Sequence, residues 1–183
     1  PARARVLAQE ARALAQAQVV VPFIGWAGAL IGWARACGGD AGGLDDCRQA
    51  MAICQPSGAR QIGAFCQLLW GDGEARLRRP AEAREKFDAA LALGAAIGAH
   101  GLDAEILRRK ASCLFDLGAQ AQAEASLQTA ARLARAQGAV LFALRCAMDA
   151  RRRGGSPEAL RECLADLAAE PDFPELAAAR ALL

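Results

Sequence analysis

A short pattern of side chains recurs along this 183-residue chain and restricts the folds that are open to it. A small residue is followed by an apolar residue four positions later and by a second small residue three positions after that. Three copies are Gly43/Cys47/Ala50, Ala83/Phe87/Ala90 and Ala123/Leu127/Ala130, and a fourth, Ala159/Cys163/Asp166, has a polar third residue. The copies start 40, 40 and 36 residues apart. Offsets of four and three place side chains on one face of a helix, so the pattern predicts a helical repeat.

Each repeat unit is predicted to be a helix, a tight turn and a second helix. Turn positions lie five residues before each copy, at Gly38, Arg78, Gly118 and Gly154. Glycine at three of these four positions is typical of a helix that ends in the left-handed conformation. Ser156 and Pro157 then mark the start of a helix, as a candidate N-cap and a first-turn residue.

The repeat predicts an entirely helical chain. The expected helices are 2–17, 21–37, 42–55, 58–77, 80–97, 100–117, 120–137, 139–152, 157–168 and 174–182. Apolar residues make up 54% of the chain and aromatic residues only 5%, because alanine, the strongest helix former, is so common. One helix pair cannot bury its own apolar face, so pairs must stack. The predicted fold is all-α: a superhelical solenoid of antiparallel helix pairs, about four and a half repeats, forming one domain over residues 1–183. An ordinary helix bundle is the alternative.

The repeat resembles the tetratricopeptide repeat (TPR). The clearest copies run from Leu77 to Ala90 and from Leu117 to Ala130, although the spacing here is longer than that family's usual ~34 residues. A narrower resemblance covers residues 78–93, 122–139 and 172–183, which look like the C-terminal TPR region of bacterial signalling ATPases linked to nucleotide-cyclase or DNA-binding modules. The chain departs from that group at residues 168–171. The resemblance implies that any ATPase or cyclase activity belongs to modules outside this chain.

Residue patterns that support catalysis or cofactor binding are not found in the sequence. The glycine-rich loop at 38–43 has no lysine for a phosphate-binding loop, and the seven cysteines form no CxxC pair. The single histidine, His100, falls at a helix junction, where we expect a solvent-facing turn residue rather than a catalytic base. We therefore expect no catalytic, cofactor-binding or metal site, and no enzyme activity.

The charge balance and the apolar segments suggest a cytoplasmic protein. The net charge of +2 lacks the basic stripe that nucleic-acid binding needs, so no direct nucleic-acid contact is expected. The apolar stretch at 19–34 is shorter than a membrane-spanning helix and is expected to be a buried helix. The cysteines are interpreted as buried, unbridged thiols. Because the chain begins at Pro1 without methionine, we expect it to be part of a larger protein.

The resemblance also implies a binding surface. In the TPR family the first helix of each pair lines a concave groove, and the matching positions here are Arg35, Phe65, Asp72, Arg76, Glu105, Arg108, Ser112, Phe115, Met148 and Arg151. The same alignment places Gly25, Gly28 and Gly32 in the groove, where they would let another backbone approach closely. The arginines favour a peptide ligand with acidic residues. Alternatively, they pair with neighbouring acids and simply solvate the surface.

Two functions are compatible with these features. The leading prediction is a protein–protein interaction or regulatory scaffold that uses the groove to bind a protein or peptide partner. The alternative is a small-molecule effector-sensing domain of a bacterial transcriptional regulator or cyclase. An open polar groove would favour the peptide, and a closed apolar pocket would favour the small molecule. Self-association through the end repeats is a further expectation.

Overall fold

The computed structural model describes residues 1–167 and 174–183, and these residues form helices and no strand. The helices are α1 Ala2–Ala17, α2 Val21–Cys37, α3 Gly43–Cys54, α4 Arg60–Arg76, α5 Pro80–Ala96, α6 Asp103–Asp116, α7 Gln120–Ala136, α8 Val140–Arg152, α9 Glu158–Asp166 and α10 Pro174–Arg180. Each predicted helix is present, with ends that differ by at most three residues. The predicted departure at 168–171, with Asp172 and Phe173, lies outside the described residues.

The helices pack in consecutive pairs. The pairs are α2 with α3, α4 with α5, α6 with α7 and α8 with α9, while the first helices α2, α4, α6 and α8 also contact one another in that order. The small residues of the repeat lie inside this packing: Ala83, Ala90, Ala123 and Ala130 each have 0% exposure. The position of these small residues on one helix face predicts burial where paired helices cross, and that burial is confirmed, because helices approach closely where side chains are small.

The closest helix contact joins α2 to α3. A Cβ atom at Gly32 would overlap the carbonyl oxygen of Gly43, and a Cβ at Gly43 would overlap that of Gly32. A Cβ at Gly25 would lie 2.5 Å from Cys54 Sγ. Gly25, Gly28 and Gly32 are all buried. Their predicted place in an open groove is therefore wrong: the backbone they admit is α3 of the same chain.

The predicted turn positions are correct at three of four places. Arg78, Gly118 and Gly154 have φ values of 62°, 75° and 85°. At the first turn, Gly38 has a φ of −86°, and the left-handed residue is Gly39, one position later. The pattern aligned the small residue of the repeat correctly but misplaced this turn, because the α2–α3 connection holds several glycines.

The thiols and the apolar segment are placed largely as expected. All seven cysteines are free; six are buried, Cys47 and Cys163 among them, and Cys37 is half-buried. The 19–34 segment contributes most of α2, which packs against α1, α3 and α4. Across residues 1–167 and 174–183, no helix combines the length and apolar character needed to cross a bilayer.

Candidate functional site

Charged side chains link the first helices of successive pairs. We call this set the charged ladder, and it runs from α4 through α6 and α8 to α10. Its members are Asp72, Glu105, Arg108, Arg109, Arg145, Asp149, Arg152 and Glu175. These residues lie on the first helices α4, α6 and α8 and on α10, and we call the surface that they form the first-helix face.

Asp72 is the first carboxylate of the ladder and is only 5% exposed. Trp33 Nε1, from α2, donates a hydrogen bond to Asp72 Oδ2 at 2.6 Å, and Arg109, from α6, pairs with Asp72 Oδ1. Arg76 Nε lies farther away, 3.7 Å from Asp72 Oδ2. Three neighbouring first helices are thus joined through one buried carboxylate, which satisfies the requirement that a buried charge be paired.

Glu105 is the centre of the ladder. Arg108 holds it with two hydrogen bonds, from Nε to Oε2 at 2.8 Å and from NH2 to Oε1 at 2.7 Å, and Arg109 Nε donates to Oε1 at 2.9 Å. Burial alone raises the pKa of Glu105, but the hydrogen bonds and charges of Arg108 and Arg109 outweigh burial and hold that pKa below its usual range. Glu105 is therefore ionised, and both of its carboxylate oxygens accept hydrogen bonds from these arginines.

The ladder continues to the C-terminal helices. Arg108 also pairs with Asp149, whose second oxygen accepts a hydrogen bond from Arg152 NH1 at 2.9 Å. Arg145 NH2 donates to Glu175 Oε1 at 2.9 Å and thereby ties α8 to α10. The better-buried links between helices, Arg108 with Asp149 and Arg109 with Asp72, hold the helices in one relative arrangement more firmly than isolated surface pairs do.

Five of the ten groove residues predicted from the sequence come together on this face. They are Asp72, Arg76, Glu105, Arg108 and Ser112. All but Glu105 line a cleft of about 530 Å³ that also includes Arg78, Arg109 and Asp116. Because Arg108 is paired with Glu105 and Asp149, it is not available to bind a ligand. Arg76, with a 54% exposed side chain, and Ser112 are the accessible members.

The other five predicted residues belong to neither the charged ladder nor its cleft. Arg35 pairs with Asp40 and Asp46 at the α2–α3 connection. Met148 is buried in the core, and Arg151 Nε donates to the carbonyl of Leu182 at 3.1 Å. Phe65 lies against Trp26, and Phe115 lines a second cavity, described below. The regular spacing could not show these differences, because each side chain's direction depends on the twist between repeats.

Three aromatic residues form an exposed cluster on α2 and α4, which we call the aromatic patch. Phe23 and Trp26 have ring centroids 5.6 Å apart, and Trp26 meets Phe65 edge-on at 6.0 Å. Phe23 is 47% exposed and Trp26 is 36% exposed. Tryptophans at packing positions of helices are expected to fill the core between stacked helices, and Trp26 departs from that expectation. Phe23 and Trp26 are three residues apart, and Trp33 follows seven residues after Trp26. This spacing indicates that the three side chains share one face of a helix.

A second cavity lies among α7, α8 and α9, and we call it the outer cavity. Its volume is about 310 Å³. Its apolar lining is Phe115, Leu127, Ala131, Ala143, Ala147 and Ala150. Arg153 and Arg135 also line it: the Arg153 guanidinium lies 3.6 Å above the Phe115 ring centroid, and Arg135 pairs with Glu162 of α9 at 3.1 Å.

The groups usually used in catalysis are dispersed. His100 Nδ1 lies 2.7 Å from Asp103 Oδ2, and the cavity beside them is lined by no serine or cysteine. Burial raises the pKa of Cys47 to about 12, with Asp46 and Glu74 adding to the effect, so its thiolate is scarce at neutral pH. Within the described part of the chain, no group of three or more metal-ligating side chains is assembled.

The N-terminal end of the array presents apolar side chains to solvent. Val6, Leu7 and Leu14 of α1 are each more than half exposed, and Val19 follows in the turn. An exposed apolar face of this kind is typical of a contact surface.

No protein-family model matches the chain, and no curated protein matches it either. The resemblance to the TPR family therefore depends on the residues and spacing described above.

Proposed function

We propose that this chain is a TPR-like interaction scaffold of the cytoplasm, without enzyme activity, that binds a peptide segment of a protein partner on its first-helix face. The observation that carries the proposal is the charged ladder. Ion pairs that join α4, α6, α8 and α10 give the face a fixed shape before any partner arrives, and a preorganised surface loses less entropy on binding.

Two accessible features on this face define the chemistry of the partner. The aromatic patch offers a site for a large apolar side chain. Arg76 and Arg78 both line the cleft; Arg76 makes only the long 3.7 Å contact with Asp72, and Arg78 pairs with no carboxylate among the residues described. These arginines favour a ligand carboxylate.

The spacing of these features sets a rule for the peptide. Phe65 and Arg76 both belong to α4 and are eleven residues apart, a rise of roughly 16 Å. An extended strand advances about 3.3 Å per residue, so the apolar anchor and the acidic residue of the ligand should be about five positions apart.

The proposal is tested with fluorescent peptides that carry one tryptophan and one glutamate, separated by two, five or eight residues. Fluorescence polarisation should give the highest affinity for the separation of five. Arg76→Gln should weaken that peptide about tenfold, whereas Arg132→Gln, which removes an exposed arginine from α7, should not. Equal binding of all three peptides, or equal loss in both variants, would contradict the proposal.

A second candidate function is small-molecule sensing, which the outer cavity favours. Its lining is largely apolar, and its volume lies at the lower end of the range for ligand pockets, ~300–1,000 Å³.

We further propose that the exposed face of α1 mediates self-association. Leu14→Glu should then lower the mass measured by light scattering, and an unchanged mass would remove this contact.

A further inference from the structure

The outer cavity has a composition that distinguishes it from the cleft on the first-helix face. Its floor is formed by Ala143, Ala147 and Ala150, which α8 presents between α7 and α9. Alanine side chains are too short to fill this space, and the Arg135–Glu162 pair connects α7 to α9 beside it. An engineered apolar cavity of ~150 Å³ already holds benzene. A volume of about 310 Å³ therefore has room for an apolar body of roughly two fused rings.

The rim of the outer cavity carries one arginine that is positioned for an anion. Arg153 lies above the Phe115 ring at 3.6 Å from its centroid and pairs with no carboxylate in the described part of the chain. Stacking on a ring uses the face of the guanidinium, so the N–H groups in its plane remain able to hold a carboxylate bidentately. The second cation, Arg135, is already paired with Glu162.

The rim of the outer cavity also carries a carboxylate. Glu124 lines the cavity and accepts a hydrogen bond from Gln120. A ligand cation would meet the positive charges of Arg135 and Arg153 at the same rim, whereas a ligand anion meets Arg153 directly. The charge pattern thus favours an acid over an amine.

We propose that the outer cavity binds a small organic carboxylate whose apolar body, of about bicyclic aromatic size, lies on the α8 alanines while its carboxylate pairs with Arg153. The inference develops the second candidate function, small-molecule sensing, by naming the ligand class and the residue that selects it. It is independent of peptide binding on the first-helix face.

Isothermal titration calorimetry of the full chain tests this with three probes of one shape: 2-naphthoate, 2-naphthalenemethanol and 2-naphthylmethylamine. Naphthoate should bind at least tenfold more tightly than the amine. Arg153→Gln should weaken naphthoate about tenfold and leave the alcohol unchanged, because only the charged contact is lost. Arg132→Gln is the matched control, since Arg132 is exposed on α7 outside the cavity, and should change neither.

A cavity-filling variant separates the apolar contact from the charge. Ala147→Leu should weaken all three probes to a similar degree, and circular dichroism verifies that it folds. Equal affinity for naphthoate and the amine would overturn the inference, as would unchanged naphthoate binding in Arg153→Gln, or binding of none of the probes at millimolar concentration.

Binding of a ligand in the outer cavity does not by itself establish a sensing function. If naphthoate binds through Arg153, sensing further requires that it change hydrogen exchange in α4, which contributes no described residue to the lining of the outer cavity. Binding without that change would confirm the carboxylate site and remove the sensing function.

Discussion

Small side chains have opposite consequences at the two ends of this molecule. In the α2–α3 pair, Gly32 and Gly43 bring two helix backbones into direct contact. Around α8, Ala143 and Ala147 leave a cavity of about 310 Å³. The difference lies in the neighbours: α3 presents a glycine of its own, whereas α7 presents Leu127 to the space beside α8. Two helix backbones come into direct contact where small residues face each other on both helices.

The charged ladder lies between these two regions and connects them. Trp33 of α2 reaches Asp72 at one end, and Arg145 of α8 reaches Glu175 at the other. The close-packed end and the end with the cavity therefore share one polar network on the first-helix face.

Removing the charge at the centre of the network should have the largest effect. Glu105→Gln leaves Arg108 and Arg109 largely buried with one charged partner fewer. Breaking a buried ion pair costs about 3–5 kcal/mol, and the low end, about 3 kcal/mol, applies because both arginines keep an aspartate. Urea denaturation gives the free energy of unfolding. A loss below about 1 kcal/mol would show that the ladder does not stabilise the array.

The close α2–α3 contact should be almost as sensitive. Gly32→Ala places a Cβ against the Gly43 carbonyl and 2.9 Å from Asp46 Cβ, so the helices must separate. We expect a loss of about 2 kcal/mol. The matched control is Gly101→Ala, where a Cβ meets nothing within 4 Å, and it should change stability by less than about 0.5 kcal/mol. Equal melting temperatures for the two variants would contradict the contact.

One substitution made at two sites compares the two kinds of packing directly. Ala130→Leu forces a larger side chain into a position with 0% exposure and should destabilise by about 1–3 kcal/mol. Ala147→Leu extends into the outer cavity and should be neutral within about 0.5 kcal/mol or slightly stabilising. If Ala130→Leu melts at the wild-type temperature, the phase of the repeat is wrong.

Acid should weaken the network reversibly. The pKa of Glu105 in the folded protein lies below its usual value, because Arg108 and Arg109 outweigh the effect of burial. A lowered folded pKa contributes stability above the unfolded pKa, about 4.3, and this contribution is lost as pH falls through the folded value. The free energy of unfolding should therefore decline below about pH 4.5. The decline should be shallower in Glu105→Gln, and parallel curves would exclude Glu105 as its source.

The cysteines report local opening at the two ends and should show the smallest effect. Cys47 lies at the α2–α3 contact, 3.7 Å from the Ala29 carbonyl, and burial raises its pKa to about 12. Cys163 is on the short helix α9 beside the cavity. A thiol reagent should modify the half-buried Cys37 first, Cys163 more slowly, and Cys47 only with denaturant. Rapid native modification of Cys47 would contradict its burial, and a mass that indicates a disulfide would contradict the proposed cytoplasmic location.

The sequence by itself was sufficient for the helices and for the interior of the repeat. Offsets of four and three define one helix face whatever the surroundings, and alanine favours the helix locally, so Ala83, Ala90, Ala123 and Ala130 could be placed in the core. The tight turns followed for the same reason, since residues such as Gly118 meet a local conformational requirement.

Tertiary structure decided which surfaces face which neighbour. Gly32 could equally have opened a groove or admitted a helix, and only the position of α3 settled this. The pairing of Asp72 with Arg109 and the cavity beside Ala147 both depend on residues more than ten positions apart in sequence. Spacing along one helix determines the side that a residue occupies. The rotation between successive helix pairs, which arises from all their contacts together, determines what that side meets.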